Sequence, residues 1–312
     1  MKKEKIIFMG TPPIAKTILE RLVEEGYEIT LVVTQPDRKS GRKQQLTMSA
    51  VKSYALEKGL LLFQPQNIKQ EYMQIMNVDA DLIVTCAYGQ FVPDPLLRHP
   101  RFGAINLHAS LLPKLRGGAP VHKAIIQGDA VTGMTMMRME KRMDAGAVMA
   151  QCSVMIDEKD TAGTLFDKLA VAGADLLITH LPSVFDGTAV FVEQDETQAT
   201  FAYTITPEEE KIDLNQDIRD VYNHARGLIP FPVGYIMHDR KKVKLHSVRK
   251  MEKEHEYPAG EFVGMIENGM AIAVKGGYLL VDEIQLEGKK RTDARSFYNG
   301  IGKQWLHTSF DI

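Results

Sequence analysis

Apolar runs alternate with amphipathic stretches through residues 1–189 of the chain. The pattern predicts a strand over "KIIFMG", a helix over "PIAKTILERLVEEG" that ends at Gly26, and a second strand over "YEITLVVT". The nearly continuous apolar run "ADLIVTCAYG" indicates a strand that is buried on both faces. Strands that alternate with helices predict an α/β domain with a doubly wound, mostly parallel, Rossmann-like sheet.

Polar residues interrupt one of the later strands of this predicted sheet. The strand "GAINLH" carries Asn106 and His108 two positions apart, so both side chains are expected on one face. A helix over 119–127, the strands "GMTMMRM" and "AVMAQCSVMI", and a long helix over 161–185 are predicted after it. Because ligands bind at the carboxyl ends of strands in such sheets, Asn106 and His108 fall where a site is expected.

The pattern changes beyond residue 189. The stretch "EQDETQATFAYTIT", residues 193–206, is polar and rich in turn formers, which indicates a linker that we place at residues 190–204. The helix "NQDIRDVYNHARGL" follows, and then the short alternating runs "VGYIMH", "KVKLHSV", "GEFVGMIENGMAIAV" and "GYLLVDEIQL". This pattern predicts a small OB-like β-barrel domain over residues 205–312.

Composition narrows the class of protein. With 312 residues, 44% hydrophobic and 25% charged, the chain is typical of a globular protein of two domains and not of a disordered or coiled-coil protein. The first apolar run is too short for a signal peptide or a membrane span, so we expect a cytoplasmic protein without membrane contact. Cys86 and Cys152 lie in apolar runs typical of buried thiols, and the sequence has no zinc-ligand spacing, so no metal is expected.

The basic residues are clustered although the net charge is only -2. Residues 38–56 contain five basic residues and no acidic one, and "RKKVKLHSVRK" over 240–250 contains six basic residues and no acidic one. One such stretch alone is usually a solvated surface. A basic stretch in each predicted domain favours a polyanionic partner that contacts both.

The candidate chemistry is acyl transfer. The turn "GTPPIA" lacks two glycines of the dinucleotide fingerprint, and its prolines remove backbone donors, so a dehydrogenase is disfavoured. Asn106 supplies an N–H donor for an oxyanion, His108 exchanges protons near neutral pH, and Asp144 in "KRMDAGAV" is the candidate carboxylate. Each residue taken singly is more often a turn former or a core residue. Since G-x-S-x-G is absent, the substrate itself would bring the nucleophile.

A family resemblance supports this reading. "NLHASLLPKLRGGAP" followed by "MDAG" resembles the signature of the folate-dependent formyltransferases. The segments "FMGTP", "VVTQPDRKSGRK", "TPEEEKIDLN", "PFPVGY" and "GKKRTDARSF" extend the resemblance along the chain and are similar to the branch that acts on transfer RNA. The chain departs from that pattern at Leu115, where an aromatic residue is common, and at Leu214, where a tryptophan is common.

The resemblance implies a reaction and a set of site residues. It implies that 10-formyltetrahydrofolate donates its formyl group to the α-amine of initiator methionyl-tRNA. No metal is expected to take part, and the protein is expected to be a monomer. Asn106 would polarise the formyl oxygen, His108 would assist proton movement, and Asp144 would orient His108 and stabilise its charge. The implied folate contacts are Ser110, Leu111, Leu112, Pro113, Tyr88, Gly89, Gln90, Phe91 and Val92. The implied RNA contacts are Arg38, Arg42, Lys43, Lys241, Lys242 and Lys244.

Two alternatives stay open at this stage. A sugar-nucleotide formyltransferase shares the Asn-x-His pair but acylates an amino sugar. A non-catalytic RNA-binding protein on an enzyme fold is an alternative of another class. The two basic stretches favour RNA over a sugar, and the presence of Asn106, His108 and Asp144 together argues against the second alternative.

Overall fold

The computed structural model describes residues 4–40 and 45–311. The chain divides into two compact units. The first unit contains Met1–Gly117, Thr132–Met155 and Phe166–Ala202. The second unit contains Gly118–Val131, Ile156–Leu165 and Tyr203–Ile312.

Helices and strands alternate along the first half of the chain, and strands dominate the last third. The helices are α1 Pro13–Glu24, α2 Ala50–Glu57, α3 Ile68–Glu71, α4 Met73–Met76, α5 Asp94–Leu97, α6 Pro120–Ile126, α7 Ala162–Asp186, α8 Ile218–Gly227 and α9 Ala294–Gly300. The strands are β1 Lys5–Gly10, β2 Glu28–Val33, β3 Arg38–Ser40, β4 Gln45–Thr47, β5 Leu62–Phe63, β6 Leu82–Cys86, β7 Ala104–His108, β8 Val131–Arg138, β9 Val148–Met155, β10 Tyr235–His238, β11 Lys241–Glu252, β12 Phe262–Ile266, β13 Gly269–Val274, β14 Gly277–Leu286 and β15 Thr292–Asp293.

The main sheet of the first unit has the strand order β5-β2-β1-β6-β7-β8-β9. The pairs β1 with β2, β2 with β5, β1 with β6 and β6 with β7 are parallel, whereas β8 is antiparallel to β7. The chain therefore begins in the middle of the sheet, builds one side through β2 and β5, and then builds the other side from β6 onward. This order confirms the predicted doubly wound, mostly parallel sheet.

The core of this sheet is formed by strand residues that are buried on both faces. Residues 6–9 of β1, which are Ile6, Ile7, Phe8 and Met9, have no exposed surface. The reason is that helices cover both faces of a parallel sheet. Gly10 ends β1 where α1 comes close. A Cβ at that position would lie 2.6 Å from the Ala15 Cβ, so a larger residue would push α1 away from the strand.

Helix α7 is the longest helix in the described part of the chain. Its length and apolar composition would allow it to cross a membrane. Leu169, Leu177 and Leu181 are fully buried within the protein, and Gly173 lies directly against the Met134 side chain of β8. Packing on the sheet therefore accounts for the apolar composition of α7.

The second unit is built on an antiparallel sheet in the order β10-β11-β14-β13-β12, with β15 paired to β14. The segment 309–311 bonds to both edges of this sheet. The Asp311 N–H donates to the Met237 carbonyl of β10 at 2.9 Å, and the Phe310 N–H donates to the Gly260 carbonyl beside β12 at 2.9 Å. By bonding to both edge strands, residues 309–311 close the sheet into a barrel-like shape. Phe262 and Phe310 are buried in the core of this unit. The predicted small β domain in this part of the chain is confirmed, and its sheet is antiparallel.

Residues 190–202, most of the predicted linker, are hydrogen-bonded to the first unit. Val192 and Val148 exchange two backbone hydrogen bonds of 2.8 Å. Farther along, the Arg116 N–H donates to the Thr200 carbonyl at 2.9 Å, and the Ala202 N–H donates to the Arg116 carbonyl at 2.7 Å. This polar segment is therefore an extended stretch fixed on the surface of the first unit by backbone hydrogen bonds. It is not a linker without contacts.

Candidate functional site

The carboxyl end of β7 carries two polar side chains on one face. Asn106 is half-buried, and His108 is 6% exposed. Leu107 between them is buried on the opposite face, as the alternation of a strand requires. In the sheet register, Asn106 pairs with Thr85 of β6, and His108 pairs with Thr135 of β8. The amide and the imidazole therefore share the edge of the sheet at which ligands bind in this fold.

Asp144 comes to this edge from the segment between β8 and β9. Its backbone adopts φ 50°, a left-handed conformation that aspartate tolerates better than most residues. One oxygen, Oδ2, accepts a hydrogen bond of 2.9 Å from the Gly117 N–H and lies 3.6 Å from His108 Nδ1. The Asp144 and His108 side chains are 15% and 7% exposed. The carboxylate is thus held at ion-pair distance from a nearly buried imidazole.

The second nitrogen of His108 faces a backbone carbonyl. His108 Nε2 lies 3.0 Å from the Leu115 carbonyl oxygen. Leu115 has φ 58°, and its N–H donates to Thr200 Oγ1 at 2.9 Å, so this carbonyl is itself fixed in place. An acceptor oxygen therefore lies beside each ring nitrogen: the Leu115 carbonyl at hydrogen-bond distance and the Asp144 carboxylate farther away, at 3.6 Å.

Gln194 holds the turn that contains Asp144, and Arg116 fixes the Gln194 side chain. Gln194 Nε2 donates to the Asp144 carbonyl at 2.9 Å and to the Gly146 carbonyl at 2.7 Å. The buried guanidinium of Arg116 donates to Gln194 Oε1 at 2.8 Å and to both carboxylate oxygens of Glu196. The hydrogen bonds from Arg116 keep the pKa of Glu196 below its ordinary value. The sequence pattern gives no signal for the roles of Gln194 and Arg116, since nothing in it relates residue 194 to residue 144.

The predicted folate loop 110–113 is anchored by Thr135. Thr135 Oγ1 donates to the Ser110 carbonyl at 2.6 Å and accepts from the Leu112 N–H at 3.1 Å and from Gln151 Nε2 at 2.8 Å. The Ser110 hydroxyl is fully buried and donates to the Lys114 carbonyl. Ser110 and Leu112 are therefore structural within the loop, whereas Leu111 and Pro113 are half-buried and partly accessible.

The predicted folate segment 88–92 follows the neighbouring strand β6. The Tyr88 side chain is turned into the core, where burial raises the pKa of its phenol. Gly89 adopts φ 92°, and the Gln90 side chain bonds to the Pro65 carbonyl and the Ile68 N–H. Val92 is half-buried, whereas the Phe91 ring is 61% exposed. Of these residues, Phe91 presents the most accessible apolar surface to a ligand.

The predicted RNA contacts of the first unit are described only in part. Arg38 is exposed and donates to Gln35 Oε1 at 3.2 Å. Arg42 and Lys43 lie outside the described residues. The nearby Lys52 forms an ion pair of 2.7 Å with Asp37, so its charge is partly neutralised within the protein.

The basic stretch of the second unit follows strand β11. Lys241 is exposed, Lys242 Nζ lies 4.0 Å from the centre of the Tyr235 ring, and Lys244 Nζ donates to the Pro232 carbonyl at 3.2 Å. Later residues of the same stretch have acidic partners: Arg249 pairs with Asp282 and Glu267, and Lys250 pairs with Glu158 and Glu252. The accessible positive charge of the stretch is therefore concentrated near its start.

Other candidate chemistry in the described residues lies apart from this edge. Burial raises the pKa of the Cys86 thiol to about 12, which makes it unreactive near neutral pH. Within residues 4–40 and 45–311, no group of three or more His, Cys, Asp or Glu side chains is placed to hold a metal ion. A cavity of about 700 Å³ beside the amino end of β7 is lined by Arg98, Arg101, Phe102, Arg138 and Phe191, among others, and by none of Asn106, His108 and Asp144.

An amide and an imidazole beside a carboxylate, at the carboxyl edge of a doubly wound sheet, can supply the oxyanion donor and the proton-transfer group that an acyl-transfer enzyme needs. A family model described as "Formyl transferase" matches residues 4–181, and one described as "Formyl transferase, C-terminal domain" matches residues 204–302. The chain belongs to the formyl transferase family, and it is a formyltransferase.

Curated relatives match nearly the whole chain. The methionyl-tRNA formyltransferase of Geobacillus sp. (strain WCH70) is 44% identical over 301 residues, which cover 96% of this chain and 95% of the relative. The methionyl-tRNA formyltransferase of Staphylococcus aureus (strain MW2) is 44% identical over 310 residues, which cover 97% of this chain and 99% of the relative.

Solved structures of lower identity share the fold. HypX from Aquifex aeolicus in complex with tetrahydrofolic acid has a TM-score of 0.71 at 14% identity, and the match covers 98% of this chain and 48% of that protein. The chain thus spans about half the length of HypX. The N-formyltransferase from Helicobacter canadensis, in complex with folinic acid and dTDP-3-aminofucose, has a TM-score of 0.68 at 15% identity, and the match covers 90% of this chain and 99% of that protein.

Proposed function

We propose that the chain transfers the formyl group of 10-formyltetrahydrofolate to the α-amino group of initiator methionyl-tRNA. The relatives that are 44% identical over nearly its whole length carry the name methionyl-tRNA formyltransferase. The observation that carries the chemical part of the proposal is the meeting of Asn106, His108 and Asp144 at one edge of the sheet.

The proposed reaction forms one C–N bond and breaks another. The methionyl amine attacks the formyl carbon, and the bond from that carbon to N10 of the folate breaks. The attacking amine loses one proton and N10 gains one, so no oxidant or reductant is required. The protein needs to stabilise negative charge on the formyl oxygen and to move a proton.

Asn106 and His108 divide these two tasks. The half-buried Asn106 amide donates to the formyl oxygen as negative charge develops on it. His108 moves the proton between the two nitrogens, and its Nδ1 is the less tightly held ring nitrogen because its contact to Asp144 is 3.6 Å. Asp144 stabilises the charged ring, and the Leu115 carbonyl fixes the orientation of the ring through Nε2.

The donor side of the site fits a flat, partly apolar molecule. Loops 88–92 and 110–113 follow the neighbouring strands β6 and β7. The exposed Phe91 ring and the half-buried Leu111 and Pro113 supply apolar surface, and the backbone of both loops supplies hydrogen-bonding groups. Folate compounds are bound in HypX and in the Helicobacter canadensis enzyme, and these two loops are the proposed folate contacts here.

The acceptor side is proposed to contact RNA through basic residues of both units. Arg38, Lys241, Lys242 and Lys244 supply positive charge in the described residues, and Arg42 and Lys43 extend the set by sequence. We propose that the protein acts in the cytoplasm and as a monomer.

A formylation assay tests the proposal directly. The protein is incubated with charged initiator tRNA and 10-formyltetrahydrofolate, and the tRNA product is hydrolysed and analysed for formylmethionine. The same donor is offered with a dTDP-amino sugar, which is the acceptor class of the sugar-nucleotide alternative. We expect formylmethionine and no formylated sugar. Formylation of the sugar alone would favour the alternative, and saturable tRNA binding without turnover would favour a non-catalytic RNA-binding protein.

Arg42→Ala tests the basic stretch of the first unit in the same assay. The KM for tRNA is expected to rise and its dependence on salt concentration to become shallower, because fewer counterions are released on binding. The KM for the folate should stay unchanged. Kinetics equal to the parent at every salt concentration would show that Arg42 does not contact the RNA.

A further inference from the structure

Thr85 is the residue of β6 that pairs with Asn106 across the sheet. It is 2% exposed and follows Leu82, Ile83 and Val84, which are fully buried apolar residues of the same strand. Thr85 Oγ1 lies 2.7 Å from Asn106 Oδ1. A carboxamide oxygen only accepts hydrogen bonds, so the Thr85 hydroxyl is the donor of this contact.

The hydroxyl has other acceptors within reach, but they are more distant. The Ile105 carbonyl oxygen lies 3.2 Å from Thr85 Oγ1, and the Met139 sulfur lies 3.1 Å from it. A hydroxyl carries one hydrogen, and an oxygen acceptor at 2.7 Å is at the optimal distance for an O–H donor. The Asn106 amide oxygen is therefore the preferred partner.

We propose that Thr85 is a positioning residue that sets the orientation of the Asn106 amide for formyl transfer. This inference rests on the proposed function. An amide has a donor end and an acceptor end that exchange places when the group rotates by half a turn. Because Thr85 occupies the oxygen, the NH2 group of Asn106 faces away from β6, toward the accessible edge of the site. In the reverse orientation, the amide would present an oxygen to the formyl oxygen and repel the charge that develops there.

A matched pair of variants isolates the hydroxyl. Thr85→Val replaces it with a methyl group of nearly the same shape, and Thr85→Ser keeps it. We expect Thr85→Val to lower kcat about tenfold to a hundredfold, with the KM values for tRNA and folate unchanged, because the productive orientation then leaves the amide oxygen facing a methyl group without a hydrogen-bond donor and is disfavoured. Thr85→Ser should keep kcat within about threefold of the parent. A Thr85→Val enzyme with the parental or a higher kcat would overturn the inference.

A double-mutant cycle separates positioning from a general structural role. If Thr85 acts through Asn106, adding Thr85→Val to Asn106→Ala should cause no further loss of kcat. An equal additional loss in the Asn106→Ala background would show that Thr85 acts in another way. The midpoint of thermal unfolding of each variant gives the structural control.

A measurement without substrate distinguishes failure of this inference from failure of the proposed function. The protein is labelled with ¹⁵N-asparagine, and the side-chain NH2 signals of its asparagines are recorded by NMR. The signal that is lost in Asn106→Ala is assigned to Asn106. We expect these NH2 protons to exchange rapidly with solvent, since they face the accessible edge, and the exchange pattern to change in Thr85→Val but not in Thr85→Ser. Protected NH2 protons in the parent would place the nitrogen toward Thr85 and overturn the inference, whichever acceptor the enzyme formylates.

Discussion

Replacement of Asp144 by asparagine tests the central contact of the site with little change of shape. Asparagine tolerates the left-handed backbone at φ 50°, and its side-chain oxygen can still accept from the Gly117 N–H. The variant therefore removes the negative charge 3.6 Å from His108 Nδ1 while the turn keeps its hydrogen bond.

The expected loss follows from the distance and the burial. Two unit charges 3.6 Å apart attract by about 1 kcal/mol in water and by about 4–5 kcal/mol at the effective dielectric constant of about 20 that describes protein sites. The side chains are only 15% and 7% exposed, so the larger value is nearer the real environment. The amide dipole of asparagine retains part of this attraction. We therefore expect kcat to fall about a hundredfold to a thousandfold, since about 1.4 kcal/mol corresponds to a factor of ten.

The assay is steady-state formylation of charged initiator tRNA with both substrates varied. The loss should appear in kcat and not in the KM values, because the charge on His108 matters most in the transition state. Asp94→Asn is a suitable control, since Asp94 pairs with the exposed Arg98 and should not affect turnover. A value of kcat within about threefold of the parent would refute the role assigned to the Asp144 charge.

Three other predictions concern Asn106, the Asp144 turn and the second unit. Asn106→Ala should lower kcat about a hundredfold to a thousandfold without lowering the thermal midpoint, and normal turnover would remove Asn106 from the mechanism. Gln194→Leu, which deletes two hydrogen bonds to the Asp144 turn, should lower kcat about tenfold, and a parental rate would show that the turn holds without it. Burial lowers the pKa of His122 and His224 in the folded protein. As the pH falls, these two imidazoles are therefore protonated in the unfolded chain at a higher pH than in the folded protein. The free energy of unfolding should therefore decrease below about pH 6.5, and a denaturant titration should show a flatter pH dependence for His122→Gln/His224→Gln.

The strand and helix pattern determined much of the fold because it records which faces are buried. Continuous apolar runs predicted the parallel strands, and the alternating runs beyond residue 205 predicted the antiparallel strands of the second unit. The two-residue spacing of Asn106 and His108 also placed both side chains on one face, since side-chain direction in a strand follows from sequence alone. The closure of the second sheet by residues 309–311 was not predicted, because those residues carry no distinctive pattern.

The direction in which loop side chains point was decided only by tertiary contacts. The resemblance to a family suggested Ser110 and Tyr88 as folate contacts, but the Ser110 hydroxyl bonds within its own loop and the Tyr88 ring packs into the core. In a loop, no periodic rule relates a position to a face, so burial depends on the elements that surround it. Among the side chains of these loops, the structure leaves the Phe91 ring exposed and Leu111 and Pro113 partly accessible.

The sequence by itself determined the chemical groups of this protein, the sheet that carries them and the family to which they belong. Only the tertiary structure decided how those groups are held: the Asp144 carboxylate 3.6 Å from His108, the Gln194 amide on the Asp144 turn, and the Thr85 hydroxyl on the Asn106 amide. The physical reason is that periodicity is a local property set by the helix and strand repeats. Hydrogen bonds between residues far apart in the chain depend on where the loops fold, and no local repeat encodes that.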